Sequence, residues 1–384
     1  MAIYAVGLMS GTSADAIDAA LIEIRRPDDA FPGVALVHAI YDPIDGTVRR
    51  DIFQAFSPSA PIVLAGRLDR VLGETFARAA NRVIAEAGID PSQVCVIGSH
   101  GQSIAHYPNG PGGFTWQIGN PAVIAARTGI DVVSHFRSMD IALGGQGAPL
   151  VPYFDWAILR HPEEDRVVLN IGGIANVSWI PAQAPLEAIL GYDTGPGNMV
   201  LDGAANLLSE GRLTFDKNGQ WASRGQVDEA LLNQWLAHSY FSETPPKSTG
   251  REQFGLPYVA ERVAEGRALG LSDADILRTL TVLVASSIAD GIKRVTRGPI
   301  ALIASGGGVK NKLLMAELAS RLALLRPWET SGAYGLPEDA KEAMAFAYLA
   351  FQLVRRRPTS IPGATGANRS HLQGSLTPAG AIFP

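Results

Sequence analysis

One cysteine, Cys95, stands in 384 residues. A lone thiol excludes an intrachain disulfide framework and a cysteine metal cluster. The seven histidines include no HExxH or other ligand spacing, so a zinc centre is disfavoured too. No stretch reaches the roughly 18 uninterrupted apolar residues of a membrane-spanning helix. The start, Met1-Ala2-Ile3-Tyr4-Ala5-Val6, lacks the basic opening and long apolar run of a secretory signal, and a soluble, cytoplasmic protein is expected. Basic charge is not in excess: 32 Lys and Arg stand against 37 Asp and Glu, a net of −5, with no basic stripe. Neither nucleic acid nor a membrane is therefore an expected partner. Two familiar nucleotide signatures are also missing, since neither GxxxxGK[ST] nor a GxGxxG opening a helix after a strand occurs.

What the chain has in plenty is glycine. It carries 41, where average usage of roughly 7% would give about 27. They cluster in short motifs between apolar segments, where a bare backbone can turn tightly or approach a ligand. At about 150 residues per domain the length suggests two domains, each with a sizeable core.

Residues 3–9 (IYAVGLM) read as a buried strand, followed by a polar turn at 10–15 and a returning strand over 17–24. A helix is expected over 62–88, then a strand over 94–98 that ends in Ser99-His100-Gly101-Gln102. The plan then recurs: a strand over 167–171, a Gly172-Gly173 turn, and a returning strand over 175–180. Further on, Ile189 and Leu190 lead into Gly191-Tyr192-Asp193-Thr194-Gly195-Pro196-Gly197-Asn198. A helix over 273–296 is signalled by Ser272 and Asp275 at capping-box spacing. A strand over 300–304 meets Ser305-Gly306-Gly307-Gly308, and a last helix is expected over 338–355 after Pro337. Two α/β halves on one plan follow, with polar motifs at strand ends, where ligands of such sheets bind. The expected domains are 1–160 plus 352–384, and 161–351.

Each motif has an ordinary reading beside the functional one. Gly11-Thr12-Ser13 and Gly172-Gly173 could each be a plain hairpin turn, but one between strands in each half favours a two-sided phosphate clamp. Gly306–Gly308 after a buried strand is more specific, because successive glycines are entropically costly unless something approaches closely. Asp193 at a strand end is a candidate general base or a turn former. Glu342 shares a helical face with Phe346 and Leu349, so its carboxylate must meet a ligand hydroxyl or an Arg. His100 either touches substrate or is a satisfied structural histidine. Residues 245–252 (PPKSTGRE) read as a loop, a candidate lid or dimer segment.

Taken together, GLMSGTSADAID (7–18), SHGQS (99–103), QIGNPAVIA (117–125), FRSMDIALGGQGAPLVP (136–152), NIGGIANVS (170–178), YDTGPGN (192–198), PPKSTGREQFG (245–255), SGGGVKN (305–311) and EAMAF (342–346) resemble the anhydro-N-acetylmuramic acid kinase family. That family lies within the actin-like ATPase and sugar kinase superfamily. The resemblance implies an α/β fold of two ribonuclease-H-like domains flanking a nucleotide and sugar cleft. It also implies use of ATP and Mg²⁺, an anhydrosugar substrate and a homodimer. Carried onto this chain, Gly11, Thr12, Ser13, Ala14, Asp15, Ala16, Ile17 and Asp18 form the first phosphate motif, with Asp15 on Mg²⁺ through water. Gly172, Gly173 and Asn176 form the second, and Gly306, Gly307, Gly308 and Asn311 the adenosine side. Asp193 is the base, and His100, Arg137, Asp193 and Glu342 meet the sugar. Two departures stand out: Ala16 replaces the usual glycine of GTS-x-D-G-x-D, and His135 stands where an acidic residue is expected. A left-handed backbone at Ala16 would cost on the order of 1 kcal/mol. A kinase of another 1,6-anhydrosugar such as levoglucosan, and a non-enzymatic actin-like nucleotide-binding module, are the competing readings.

Overall fold

The strongly apolar runs of this chain are its central strands, covered on both faces, while helices show one buried stripe. A computed structural model describes residues 2–380 apart from Thr12, Ala30 and Pro111. Thr12, expected in the first phosphate loop, lies outside the described residues. In chain order the strands are β1 (Ile3–Met9), β2 (Ala16–Arg25), β3 (Gly33–Pro43), β4 (Val94–Ser99), β5 (Gln102–Tyr107), β6 (Phe114–Ile118) and β7 (Val132–Ser134). They continue as β8 (Arg166–Ile171), β9 (Ile174–Ile180), β10 (Leu190–Pro196), β11 (Ala301–Ser305), β12 (Glu329–Thr330) and β13 (Ser375–Thr377).

The chain divides into two units, Met1–Ile158 with Gly335–Pro384, and Leu159–Tyr334. In the first, the main sheet runs β13-β7-β4-β1-β2-β3, with β2 antiparallel to both neighbours and β1, β4 and β7 parallel. In the second, the order is β10-β9-β8-β11-β12, with β9 antiparallel to both neighbours and β8, β11 and β12 parallel. Numbered within each unit, both sheets read 3-2-1-4-5, the ribonuclease-H-like order, and the first is extended by β13.

The chain re-enters the first unit after Tyr334, well before the expected 352. The reason is the helix Lys341–Val354, which lies directly on the first sheet. A Cβ on Gly7 of β1 would sit 1.8 Å from the Ala343 carbonyl oxygen, and one on Gly98 of β4 2.1 Å from that of Phe346. Helix and strands therefore meet backbone to backbone, and the helix belongs with the sheet it covers. In the second unit the helix Asp273–Val295 has the expected Ser272 and Asp275 capping box and packs Gly291 over Thr194 of β10. The strand β3 and the β5–β6 hairpin were not anticipated. Much of β3 is only half-buried, so its sequence lacks a strong apolar period. No described helix is long and apolar enough to cross a membrane.

Candidate functional site

In the second unit, β10 is an edge strand and Asp193 pairs with Asn176 of β9. The register shifts between Asp193 and Gly195, and such a bulge re-aims the neighbouring side chains. Thr194 at the shift donates its hydroxyl to the Ala175 carbonyl at 3.1 Å. The Asp193 amide donates to the Lys247 carbonyl at 3.1 Å, and its carbonyl accepts the Tyr240 hydroxyl at 2.7 Å. Its Oδ2 accepts the Thr249 amide at 2.9 Å, whereas Oδ1 has no partner among the described residues. Burial pushes the Asp193 carboxyl up to about 6; the Thr249 N–H and Lys247 oppose the rise, and Glu252 adds to it. A half-buried carboxylate with one fixed and one free oxygen, titrating near neutrality, is equipped to accept a proton.

The glycine motifs of this unit converge on the neighbouring ends of β8 and β11, where Asn170 pairs with Ser305. The Gly172 and Gly173 carbonyls accept the amides of Asn198, Gly197 and Met199, which begin the helix Asn198–Leu208. Gly306 has φ +86°, and a Cβ there would lie 2.6 Å from Asn170 Oδ1. A Cβ on Gly308 would lie 2.2 Å from Ile171 Cγ2. The close approach expected of a ligand is thus made, at Gly306 and Gly308, by the end of β8; Gly307 is exposed. Asn311 uses its side-chain oxygen on the Leu314 amide at 3.1 Å, capping the helix Lys312–Ser320.

In the first unit, the Ser10-to-Asp15 turn links β1 to β2. Gln102 is fully buried there: its oxygen accepts the Ser10 hydroxyl at 2.7 Å, and its amide donates to the Gly11 carbonyl at 3.2 Å. The Ser13 hydroxyl donates to Asp15 and holds that exposed carboxyl below its usual range. Ala14, not Ala16, has the left-handed backbone (φ +48°); Ala16 is an ordinary buried residue of β2 opposite Pro43. His135, the other departure, also takes a positive φ, +54°, and is exposed.

His100 is buried, with its ring 4.8 Å from that of Phe346. Its Nδ1 lies 2.9 Å from the Gly101 carbonyl, so that nitrogen carries the hydrogen. Nε2 is then the acceptor, and it receives Arg137 Nε at 3.0 Å and Nη2 at 2.9 Å. Burial, with Arg137 beside it, drives His100 down to about 3, so the ring is neutral. Arg137 Nη1 donates to the Gly147 carbonyl at 2.8 Å, and Gly147 is tied to buried Asp140 at 2.7 Å. Glu342 stands exposed in the first turn of the helix Lys341–Val354, without a hydrogen-bond partner among the described residues. Its carboxyl is nevertheless raised by desolvation, with Arg137 and then Lys341 opposing, as expected for a group recessed among protein atoms yet open to solvent.

Residues 3–379 match the model of the anhydro-N-acetylmuramic acid kinase family. The anhydro-N-acetylmuramic acid kinase of Xanthomonas axonopodis pv. citri is 43% identical over 378 residues, covering 97% of this chain and 98% of that one. That of Shewanella amazonensis shows the same identity and coverage. The chain belongs to the anhydro-N-acetylmuramic acid kinase family. Among solved structures, the activator of 2-hydroxyisocaproyl-CoA dehydratase from Clostridium difficile aligns over 92% of this chain and 96% of that one. Its identity is 13% and its TM-score 0.44, too slight a likeness to add to the family assignment.

Against the family pattern, the structure brings Gly172, Gly173, Gly306, Gly307 and Gly308 together, and places Asn176 beside Asp193. It also groups His100, Arg137 and Glu342 with Asp18. His100, a candidate sugar contact, has both ring nitrogens engaged within the protein. Sequence reading gave no role to Gln102, Tyr240, Lys247, Thr249 or Asp140, although all but Tyr240 lie within the stretches that carry the family resemblance. The carboxylates gathered around Asp18 match the charge of a Mg²⁺ ion. Burial pushes the Asp18 carboxyl up to about 7, and Glu342, Asp15 and Asp339 push the same way. No group of three or more His, Cys, Asp or Glu among the described residues is arranged to hold a metal directly. The residues therefore fit a hydrated ion shared with phosphates, the usual habit of Mg²⁺.

Proposed function

We propose that this kinase uses ATP to convert 1,6-anhydro-N-acetylmuramic acid into N-acetylmuramic acid 6-phosphate, consuming one water, in cell-wall sugar recycling. Asp193 Oδ1 takes a proton from water, and the water oxygen bonds to the anomeric carbon C1. The C1–O6 bond of the anhydro bridge breaks, freeing O6 as the nucleophile. O6 bonds to the γ-phosphorus as the bond to the β-γ bridging oxygen breaks, and ADP departs. The proton on Asp193 passes to solvent.

The main-chain N–H groups of Gly11, Gly173 and Gly307 donate to phosphate oxygens, work for which bare backbone is suited. Asp15 and Asp18 would hold Mg²⁺, which would supply neutralisation of phosphate charge. Arg137 and Glu342 contact the sugar, and His100 acts through Arg137 by fixing its guanidinium. The protein works in the cytoplasm as a homodimer.

The observation that carries this reading is Asp193, with one oxygen held by the Thr249 amide, the other without a partner among the described residues, and its carboxyl near 6. The test is ADP release against 1,6-anhydro-N-acetylmuramic acid, levoglucosan and their hydrolysed forms. Strong preference for the muramic anhydrosugar is expected. Preference for levoglucosan would reassign the sugar, and no sugar-dependent ADP release would remove the kinase.

A further inference from the structure

As the edge strand of its sheet, β10 has nothing beyond Asp193 within the sheet itself. That side is occupied by a strap, residues 243–250, which belongs to no strand and is largely exposed or half-buried. Its hold on Asp193 is by hydrogen bonds: Thr249 N–H to Oδ2 at 2.9 Å, and Asp193 N–H to the Lys247 carbonyl at 3.1 Å. The strap is itself locked. The Lys247 ammonium reaches the Tyr240 carbonyl at 2.8 Å, the Tyr240 hydroxyl reaches the Asp193 carbonyl at 2.7 Å, and the Thr249 hydroxyl reaches Gln253 Oε1 at 2.6 Å.

We infer that this strap is the positioning device of the proton acceptor: the Thr249 main-chain N–H pins one carboxylate oxygen of Asp193 so that the other faces the water. Lys247 and Tyr240 hold the Asp193 main chain in register beneath it. The inference rests on the assignment of Asp193 as the base and deepens it. A carboxylate with one oxygen pinned cannot swing about its terminal torsion, and small misplacements of a reacting group are costly. An N–H donated to a carboxylate also favours its ionised form, which is the form that accepts a proton. Of the groups around Asp193, this N–H is the strongest opposition to the effect of burial. Because the donor is main chain, Thr249 acts without its side chain, and any residue except proline supplies the same bond.

The experiment compares Thr249→Ala with Thr249→Pro in the full chain. Both lose the hydroxyl that meets Gln253, but only the proline removes the N–H. In the alanine variant the acidic limb of the kcat–pH profile should stay at the wild-type position. In the proline variant the limb should move up by about one pH unit. At pH 6 its kcat should fall roughly 10- to 100-fold below that of the alanine variant, with both KM values within about threefold. Tyr240→Phe gives an independent reading should proline unfold the strap. It keeps the N–H but frees the Asp193 carbonyl, and kcat should fall about tenfold with no movement of the limb. Superimposable limbs for the alanine and proline variants, or an unchanged kcat in Tyr240→Phe, would overturn the inference. Asp193→Asn separates the two levels. If it keeps turnover, the base assignment itself fails; if it abolishes turnover while the proline limb stays put, only the strap's role fails.

Discussion

The two units share one sheet order and place different groups at its strand ends. In each, the first two strands form an antiparallel hairpin, but the loops differ in length. In the first unit the pairing ends at Met9 and Asp18, leaving residues 10–17 between. In the second it ends at Ile171 and Ala175, leaving three residues, Gly172 to Ile174. The long loop has room for side chains and carries Ser13, Asp15 and, at its end, Asp18. The short one presents mainly backbone. Beyond the hairpins the contrast continues, with titratable groups gathered around Arg137 and Glu342 in the first unit and, in the second, the Asp193 carboxylate held by the Thr249 amide with Lys247 and Glu252 nearby. A duplicated scaffold fixes where strand ends lie; loop length decides whether side chains or main chain work there.

The sharpest way to break this contrast is Asp193→Asn. If the second unit supplies the only proton acceptor, turnover should fall about 10²- to 10⁴-fold, because Asn keeps the size but takes no proton at neutral pH. Affinities for ATP and sugar should persist. In the parent protein, turnover should rise with pH through about 6, as the Asp193 carboxyl ionises. Turnover of the folded variant within fivefold of the parent would return the search to Asp15, Asp18 and Glu342.

Next in size is Gly98→Ala, which tests the contact that makes the first unit whole. A methyl 2.1 Å from the Phe346 carbonyl oxygen must push the helix Lys341–Val354 off β4. Overpacking against backbone should remove roughly 3 kcal/mol, read from chemical denaturation. Loss of less than about 0.5 kcal/mol would mean the helix is not seated as described.

These two residues also mark what could be read beforehand. The strands β1, β8 and β11 and the helix Asp273–Val295 were legible because continuous apolar runs and a capping box are local signals. Asp193 was visible as a candidate base, but it was expected at a strand end and stands in the middle of β10, where the register shift beside it sets its side chain. Its clamp was not visible, because Thr249 contributes a main-chain N–H that any residue type could supply, 56 positions away. The Arg137 pairing with His100 spans 37 positions and was equally hidden. The boundary near 335 was missed because Gly7 and Gly98 act by lacking a side chain, and their partner helix lies far along the chain.

Glu342→Ala sharpens the contrast from the other side. Among the described residues the exposed carboxylate has no hydrogen bond to lose, so the variant should fold normally and raise the sugar KM about tenfold, with nucleotide affinity little changed. A fall in Tm of several degrees instead would identify Glu342 as a structural partner of Arg137.

Asp18→Asn probes the charge carried by the first unit. The Asp18 carboxyl sits at about 7, above its ordinary 3.8, so the folded protein retains the proton that the unfolded chain releases between those values. Its favourable contribution is therefore complete below about pH 4 and is lost as pH rises through 7. His100, lowered to about 3, has the opposite sign: its contribution is present above about 6.5 and is lost on acidification. Asn cannot ionise, so without nucleotide the variant should gain about 1–2 kcal/mol at pH 8, after allowing for partial solvent screening, and nothing at pH 4. Equal effects at both pH values would show that Asp18 ionises without strain from its neighbours.

The smallest effect expected is that of Ala16→Gly, and its interest lies in sign. The family's usual glycine at this position suggests that glycine should relieve strain here. The backbone argues otherwise, because Ala16 is extended in β2 and it is Ala14, two residues earlier, that takes a left-handed φ, +48°. At Ala14 a glycine would gain on the order of 1 kcal/mol of relief and lose about 0.8 kcal/mol of methyl burial, close to a null result. At Ala16 there is no relief to gain, and glycine should destabilise by about 0.5–1 kcal/mol through lost strand order. ATP affinity should stay within about tenfold, or 1.4 kcal/mol. The measurements are paired Tm values for the two variants and turnover on the muramic anhydrosugar. A stabilised Ala16→Gly would contradict the extended backbone at that position. More than a tenfold gain in turnover, with stability unchanged, would instead mean that the Ala16 methyl obstructs the phosphate loop and that the long loop of the first unit is constrained by a side chain after all.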